Sequence, residues 1–116
     1  MKQIEQLTEE SFNQAVDRPG LTLIDFWAGW CGPCRAMSPQ FELAASLRPQ
    51  YRFAKVDVDA EPAVAAAYGI RSIPTLMLLL DGEPVAAQGG VIAAEQLVEA
   101  ADRIVSTLGP SLKAAA

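Results

Sequence analysis

Apolar and polar positions along this chain fall into blocks that alternate between extended and helical character. Leu21 to Trp27 is apolar at nearly every position and follows Arg18-Pro19-Gly20. Such a run predicts a strand buried on both faces, as in a parallel sheet. Pro33 opens a helix expected to reach about Leu47, with Pro39 inside it, where a kink is expected. Tyr51 to Asp57 reads as a second strong strand. Asp59, then Glu61 and Pro62, start a short helix that stops at Gly69. Thr75 to Leu80 forms a third strand, which Asp81-Gly82 turns into a hairpin with Val85 to Gln88.

Two amphipathic segments complete the pattern. Thr8 before Glu9 and Glu10 is a hydroxyl cap followed by acids that the helix dipole favours, and that helix should end near Arg18-Pro19-Gly20. Ala93 to about Leu108 is the last helix, with Leu97, Ala101, Ile104 and Leu108 on one stripe. The order is β-α-β-α-β-α-β-β-α, with no bounds assigned to the strand before Thr8. That order predicts an α/β fold, a central mixed β-sheet flanked by helices on both faces. Residues 1–108 are expected to form one domain, and 109–116 a helix stop and a flexible C-terminal tail.

Composition narrows the possible roles. With 116 residues the chain suits one domain; 51% hydrophobic and 20% charged residues mark it as globular. The net charge is −5 and the basic residues are scattered, so nucleic-acid binding has no footing. No apolar run is long enough to span a bilayer, and no membrane association is expected. Met1 to Gln6 is polar, unlike a signal peptide, so a cytoplasmic location is expected. There is no histidine, which excludes imidazole-based relays.

The two cysteines, Cys31 and Cys34, stand in Trp30-Cys31-Gly32-Pro33-Cys34, where the buried strand hands over to a helix. In a reducing compartment such a pair needs a redox or a metal explanation. Structural zinc needs four ligands, and no third cysteine or histidine exists, so no metal is expected. An inert buried thiol is disfavoured by the strand–turn–helix setting, in which unpaired helix N–H groups stabilise a thiolate. Cys31 is therefore read as the accessible nucleophile and Cys34, one turn on, as the resolving thiol. Gly32 and Pro33 shape the turn between them.

Asp25 is an ionisable group within an apolar strand, six residues before Cys31. Burial raises a carboxylate's pKa, which suits proton transfer at Cys34. The competing reading is a structural ion pair with Lys55 in the neighbouring strand. Trp27 is read as packing against the site. Trp30 is read as exposed, forming with Ile73, Pro74 and Val91 a small apolar platform for a protein partner. The residues alone leave the Ile73–Pro74 bond open, with base rates favouring trans.

From about residue 3 to 108 the chain resembles the thioredoxin family. Asp25-Phe26-Trp27-Ala28 with Trp30-Cys31-Gly32-Pro33-Cys34 is similar to its active-site signature. Ala54-Lys55-Val56-Asp57 resembles the strand with the family's buried lysine. Tyr68-Gly69-Ile70-Arg71 and Ile73-Pro74-Thr75 resemble the segment with its cis-proline. The resemblance implies the thioredoxin fold, a cis Pro74, and a substrate groove with Gly90 beside it and Ile73 and Thr75 presenting backbone groups. It implies a monomeric protein-disulfide reductase that cycles a Cys31–Cys34 disulfide and binds no cofactor. It also implies disulfide-containing substrate proteins and re-reduction by thioredoxin reductase. Gly29 departs from an acid in the best-known members, Arg35 from a common lysine, and Gln88-Gly89-Gly90 is unusually glycine-rich. Ala93 is a poor helix cap, costing about 0.5–2 kcal/mol against Ser.

Lowering a thiol from about 8.5 to about 7, a value taken from the family, raises its thiolate fraction about eightfold at pH 7.5. Nucleophilicity falls about fivefold, for a net gain of about twofold. Intramolecular resolution by Cys34 is the larger expected effect. Two alternatives remain. One is a disulfide oxidase or isomerase, disfavoured because Gly32-Pro33 offers the thiolate only the Gly N–H. The other is a binding subunit whose groove docks a partner without using the thiols.

Overall fold

The structure is a computed structural model that describes residues 4–110. Its elements are β1 (Ile4–Gln6), α1 (Glu9–Val16), β2 (Leu21–Trp27), α2 (Gly32–Leu47), β3 (Arg52–Asp57), α3 (Pro62–Ala67), β4 (Thr75–Leu80), β5 (Glu83–Gly89) and α4 (Ala94–Leu108). The sheet runs β1-β3-β2-β4-β5. β1, β3 and β2 are mutually parallel, while β4 pairs antiparallel with β2 and with β5. The mixed sheet and the element order agree with the sequence pattern.

Strand alternation sends β2 side chains to both faces, and each face has its own core. Leu21 and Leu23, with Phe53, Leu76 and Leu78, pack on Met37 and Phe41 of α2 and on Leu97 and Ala101 of α4. Ile24 and Phe26, with Val56 and Leu79, pack on Phe12 and Val16 of α1 and on Val64 of α3. Six of the seven β2 residues are buried, the physical source of its unbroken apolar run. Both sheet edges are protected. β1 has three residues, and β5 carries Pro84 beside a register irregularity between Leu78 and Leu79.

Several boundaries differ from the pattern. α1 stops at Val16, short of Arg18-Pro19-Gly20, and β3 starts one residue after Tyr51. β5 is longer than Val85–Gln88 at both ends. Asp81 and Gly82 both have positive φ, and a Cβ on Gly82 would meet the Val16 carbonyl at 3.3 Å. That close approach requires glycine. Asp59 does not cap α3; Glu61 holds that position without a side-chain bond to the helix it starts, its Oε1 accepting the Glu9 N–H at 2.8 Å instead, and α3 ends before Gly69. Asp57 Oδ1 instead accepts the Asp59 and Ala60 N–H groups at 2.9 and 3.3 Å.

The α4 stripe is also corrected. Leu97 and Ala101 are buried with Ala94 and Val98, but Leu108, the last residue of the helix, is 45% exposed. Gly109 caps α4 at φ 92°, its N–H bonded to the Val105 carbonyl at 2.8 Å. The rest of the expected tail, residues 111–116, lies outside the described residues.

Candidate active site

The chain leaves β2 at Trp27, turns through Ala28, Gly29 and Trp30, and enters α2 with Cys31 as the N-cap. Cys31 has extended φ and ψ of −88° and 112°, as an N-cap requires, and Pro33 sits in the first turn. Cys31 and Cys34 form a disulfide with a Cα–Cα distance of 5.3 Å. The Cys34 N–H donates to Cys31 Sγ at 3.1 Å. The sulfur thus occupies the place of a capping oxygen, and the helix donor that satisfies it favours negative charge there.

The expected contrast between an accessible Cys31 and a recessed Cys34 is absent from this disulfide form. The two are 3% and 4% exposed. Ala28 joins them in a buried cluster, closed by the partly buried Trp27, Val58 and Ile73. What distinguishes the sulfurs is the hydrogen bond to Cys31, not their exposure.

Asp25 is fully buried. It shares a sheet face with Leu23 and Trp27, the face covered by α2, and pairs in register with Lys55 of β3 and Leu76 of β4. Neither carboxylate oxygen has a hydrogen-bond partner among the described residues. Burial pushes its pKa up to about 6, against the opposing pull of the Lys55 charge. The competing reading, a structural Asp25–Lys55 ion pair, is not found: no ion pair within 4 Å joins them among the described residues, and Lys55 acts on Asp25 through its charge without contact. Lys55 Nζ instead donates to Ser38 Oγ at 3.3 Å and lies 5.2 Å from the Trp27 ring centroid. Trp27 is partly buried, with its indole N–H unpartnered among the described residues.

Across from the disulfide, the Ile73–Pro74 bond is cis and Pro74 is fully buried. Ile73 packs on the cysteine cluster. Thr75 begins β4, its hydroxyl donating to the Ser72 carbonyl at 2.6 Å and its partner in β5 being Gly89. Gly90, at φ 85°, donates its N–H to the Pro74 carbonyl at 2.9 Å. Val91 follows, 46% exposed, and Trp30 is 69% exposed. Gly32 and Pro33 are exposed on the turn between the cysteines.

Sequence reasoning missed three residues here. Asp59 Oδ2 accepts the Trp30 indole N–H at 2.8 Å, so the exposed tryptophan is anchored rather than loose. Arg35 Nη1 donates to the Gly29 carbonyl at 2.9 Å, bracing the turn before Cys31. Ser38 holds Lys55. The spacing of Arg35 and Ser38 from Cys34 in one helix was an available signal; nothing local pointed to Asp59.

This geometry is that of a redox dithiol at a helix N-terminus, and comparison with known proteins agrees. Residues 3–103 match the family model for thioredoxin. A Streptomyces coelicolor relative, assigned as a second thioredoxin, is 46% identical over 94 residues, covering 81% of this chain and 70% of its own. Thioredoxin of the red alga Pyropia yezoensis is 41% identical, covering 89% of this chain and 98% of its own. Thioredoxin of Staphylococcus aureus is 42% identical, covering 86% and 96%. The chain belongs to the thioredoxin family and is a dithiol–disulfide oxidoreductase with a Cys31–Cys34 redox disulfide.

Proposed function

We propose that this protein reduces disulfides in other proteins, with Cys31 as nucleophile and Cys34 as resolving thiol. The Cys31 thiolate attacks one sulfur of a substrate disulfide; a mixed disulfide forms and the other substrate sulfur leaves as a thiolate. Cys34 gives up its proton to Asp25 and attacks Cys31 Sγ. The second substrate sulfur leaves, the Cys31–Cys34 disulfide closes, and the substrate has gained two electrons.

The observation that carries this reading is the Cys34 N–H bond to Cys31 Sγ at the helix N-terminus. It supports Cys31 as the sulfur on which negative charge is stabilised once the disulfide opens. Asp25 supplies the base: with a pKa of about 6 it is ionised at neutral pH yet basic enough to accept a thiol proton. Lys55 keeps that pKa from rising further. Trp27, Gly32, Pro33 and Pro74 shape the site. Trp30, Ile73, Thr75, Gly90 and Val91 form the groove for an extended substrate segment, whose backbone meets that of Ile73 and Thr75.

No bound cofactor enters the cycle. The dithiol is regenerated by a thioredoxin reductase. A cytoplasmic location fits this direction of flow, because a reductant works where thiols are kept reduced. Gly32-Pro33 supports reduction over oxidation, since proline has no N–H for the thiolate. The working unit is the monomer.

The test is trapping during insulin reduction. Cys34→Ser should accumulate a mixed disulfide through Cys31, and Cys31→Ser should not. Equal trapping by both variants, or adducts found on Cys34 alone, would overturn the assignment. Retention of the cellular role by the Cys31→Ser, Cys34→Ser double variant would favour a thiol-independent binding role, and its loss supports the reductase.

A further inference from the structure

Between the end of β2, the first turns of α2 and Lys55 of β3 lies a pocket of about 270 Å³. Cys34 forms part of its wall; Cys31 does not. Its charged lining is Arg35 and Lys55, and no aspartate or glutamate lines it. In a chain of net charge −5 this is a local reversal of sign. Neither cation is in an ion pair within 4 Å among the described residues. Arg35 spends one N–H on the Gly29 carbonyl, and Lys55 donates to Ser38, so both keep donors for a ligand. Gly29 leaves the rim open: a Cβ there would meet nothing within 4 Å. Asp25, the register neighbour of Lys55, is buried and is not part of the lining.

We infer that this pocket admits small carboxylate-bearing thiols and delivers them to Cys34 of the disulfide, giving the protein a second, low-molecular-weight reductant. The inference rests on the redox cycle proposed above. Thiol–disulfide exchange requires attack in line with the S–S bond, on the side away from the leaving sulfur. A thiol held in this pocket meets Cys34. A bond forms between its sulfur and Cys34 Sγ, and Cys31 Sγ leaves with the electron pair. Cys31 is the better leaving group, because the Cys34 N–H already stabilises charge on it. A second small thiolate then attacks the ligand sulfur. The two small thiols leave as their own disulfide, Cys34 takes a proton from solvent, and the protein has gained two electrons.

The experiment measures reduction of the oxidised protein by 3-mercaptopropionate, 2-mercaptoethanol and cysteamine, as rates per thiolate corrected for thiol pKa. The anionic thiol should exceed the neutral one by about threefold, the scale of a partly exposed charge interaction, with the cationic thiol slowest. Arg35→Gln and Gly29→Glu should each bring that ratio to about one or below, and Gly29→Glu should leave the 2-mercaptoethanol rate unchanged. Quenching with N-ethylmaleimide should yield a protein alkylated on Cys31 and carrying mercaptopropionate on Cys34. Rates that follow thiol pKa alone, an unchanged ratio in both variants, or an adduct on Cys31 would overturn the inference. Failure of neutral dithiothreitol to reduce the disulfide would count against the redox cycle itself.

Discussion

At the residue scale, Asp25 is the group whose cost and use are both visible. A fully buried carboxylate without hydrogen bonds is expensive once charged. Its pKa is raised from 3.8 to about 6, so the unfolded chain releases this proton first. Stability from the neutral acid is complete below about pH 4, is lost as pH rises to about 6, and changes no further above that. The shift corresponds to about 3 kcal/mol. Asp25→Asn should therefore gain on the wild type by up to about 3 kcal/mol between pH 3.5 and pH 7.5, read from urea unfolding at both pH values. The same substitution should slow resolution of the Cys31 mixed disulfide by about tenfold or more. A pH-independent gap between the two proteins would show that the carboxylate is not the strained group. Asp25 was legible because an acid interrupts an apolar strand. The position of Lys55 was not. Pairing in register fixes which residues are neighbours, but Lys55 ends over Trp27 and on Ser38 through its own rotamers.

At the element scale, the site depends on α2 being anchored as a unit. Ala93 carries no capping oxygen, as the sequence shows, yet the start of α4 is not left bare. Gln40 of α2 reaches across to accept the Ala94 N–H at 2.9 Å, and Gln96 accepts the Ala93 N–H at 3.3 Å. The missing cap of one helix is thus supplied by another, which also fixes α2 against α4. Gln40→Ala should cost about 1 kcal/mol in chemical unfolding and speed amide exchange in the first turn of α4. Unchanged exchange there would mean the bond carries no weight. The sequence exposes the deficiency because a cap is local. It hides the remedy because Gln40 and Ala94 are far apart in the chain. The same holds for Trp30 and Asp59: β2, β3 and the cysteine turn were readable from apolar runs and proline, but the indole's partner arrives from another connection. Leu108 fails in a related way, since a helical stripe predicts a face and not how much of it is covered at the helix end.

At the scale of the whole molecule, two carboxylates with opposite shifts act on the pH profile. Asp102 ties α4 to the C-terminal end of α2 and to Tyr51 before β3. It accepts two bonds from Arg48 Nε and one from Nη2, and the Tyr51 hydroxyl at 2.7 Å. The Arg48 hydrogen bond, and then that of Tyr51, hold its pKa below the ordinary value of 3.8. Its stabilisation is present above about pH 4 and is lost as pH falls through the lowered value. The pair is partly exposed, so the contribution is modest. Asp25 works in the other direction, losing stability from about pH 4 up to about 6. Net charge adds to this trend. The sequence pI is about 4.6, so self-repulsion is least in the same region and grows toward the −5 of neutral pH. These three effects place the stability maximum at about pH 4–5, more acidic than the usual range of about 5–8. Thermal unfolding across pH 3 to 8 should show that maximum in the oxidised protein. Asp25→Asn should flatten the limb above it, and Asp102→Asn should soften the limb below it. A maximum near pH 7 would mean that neither the buried acid nor the acidic surface governs the stability of this fold.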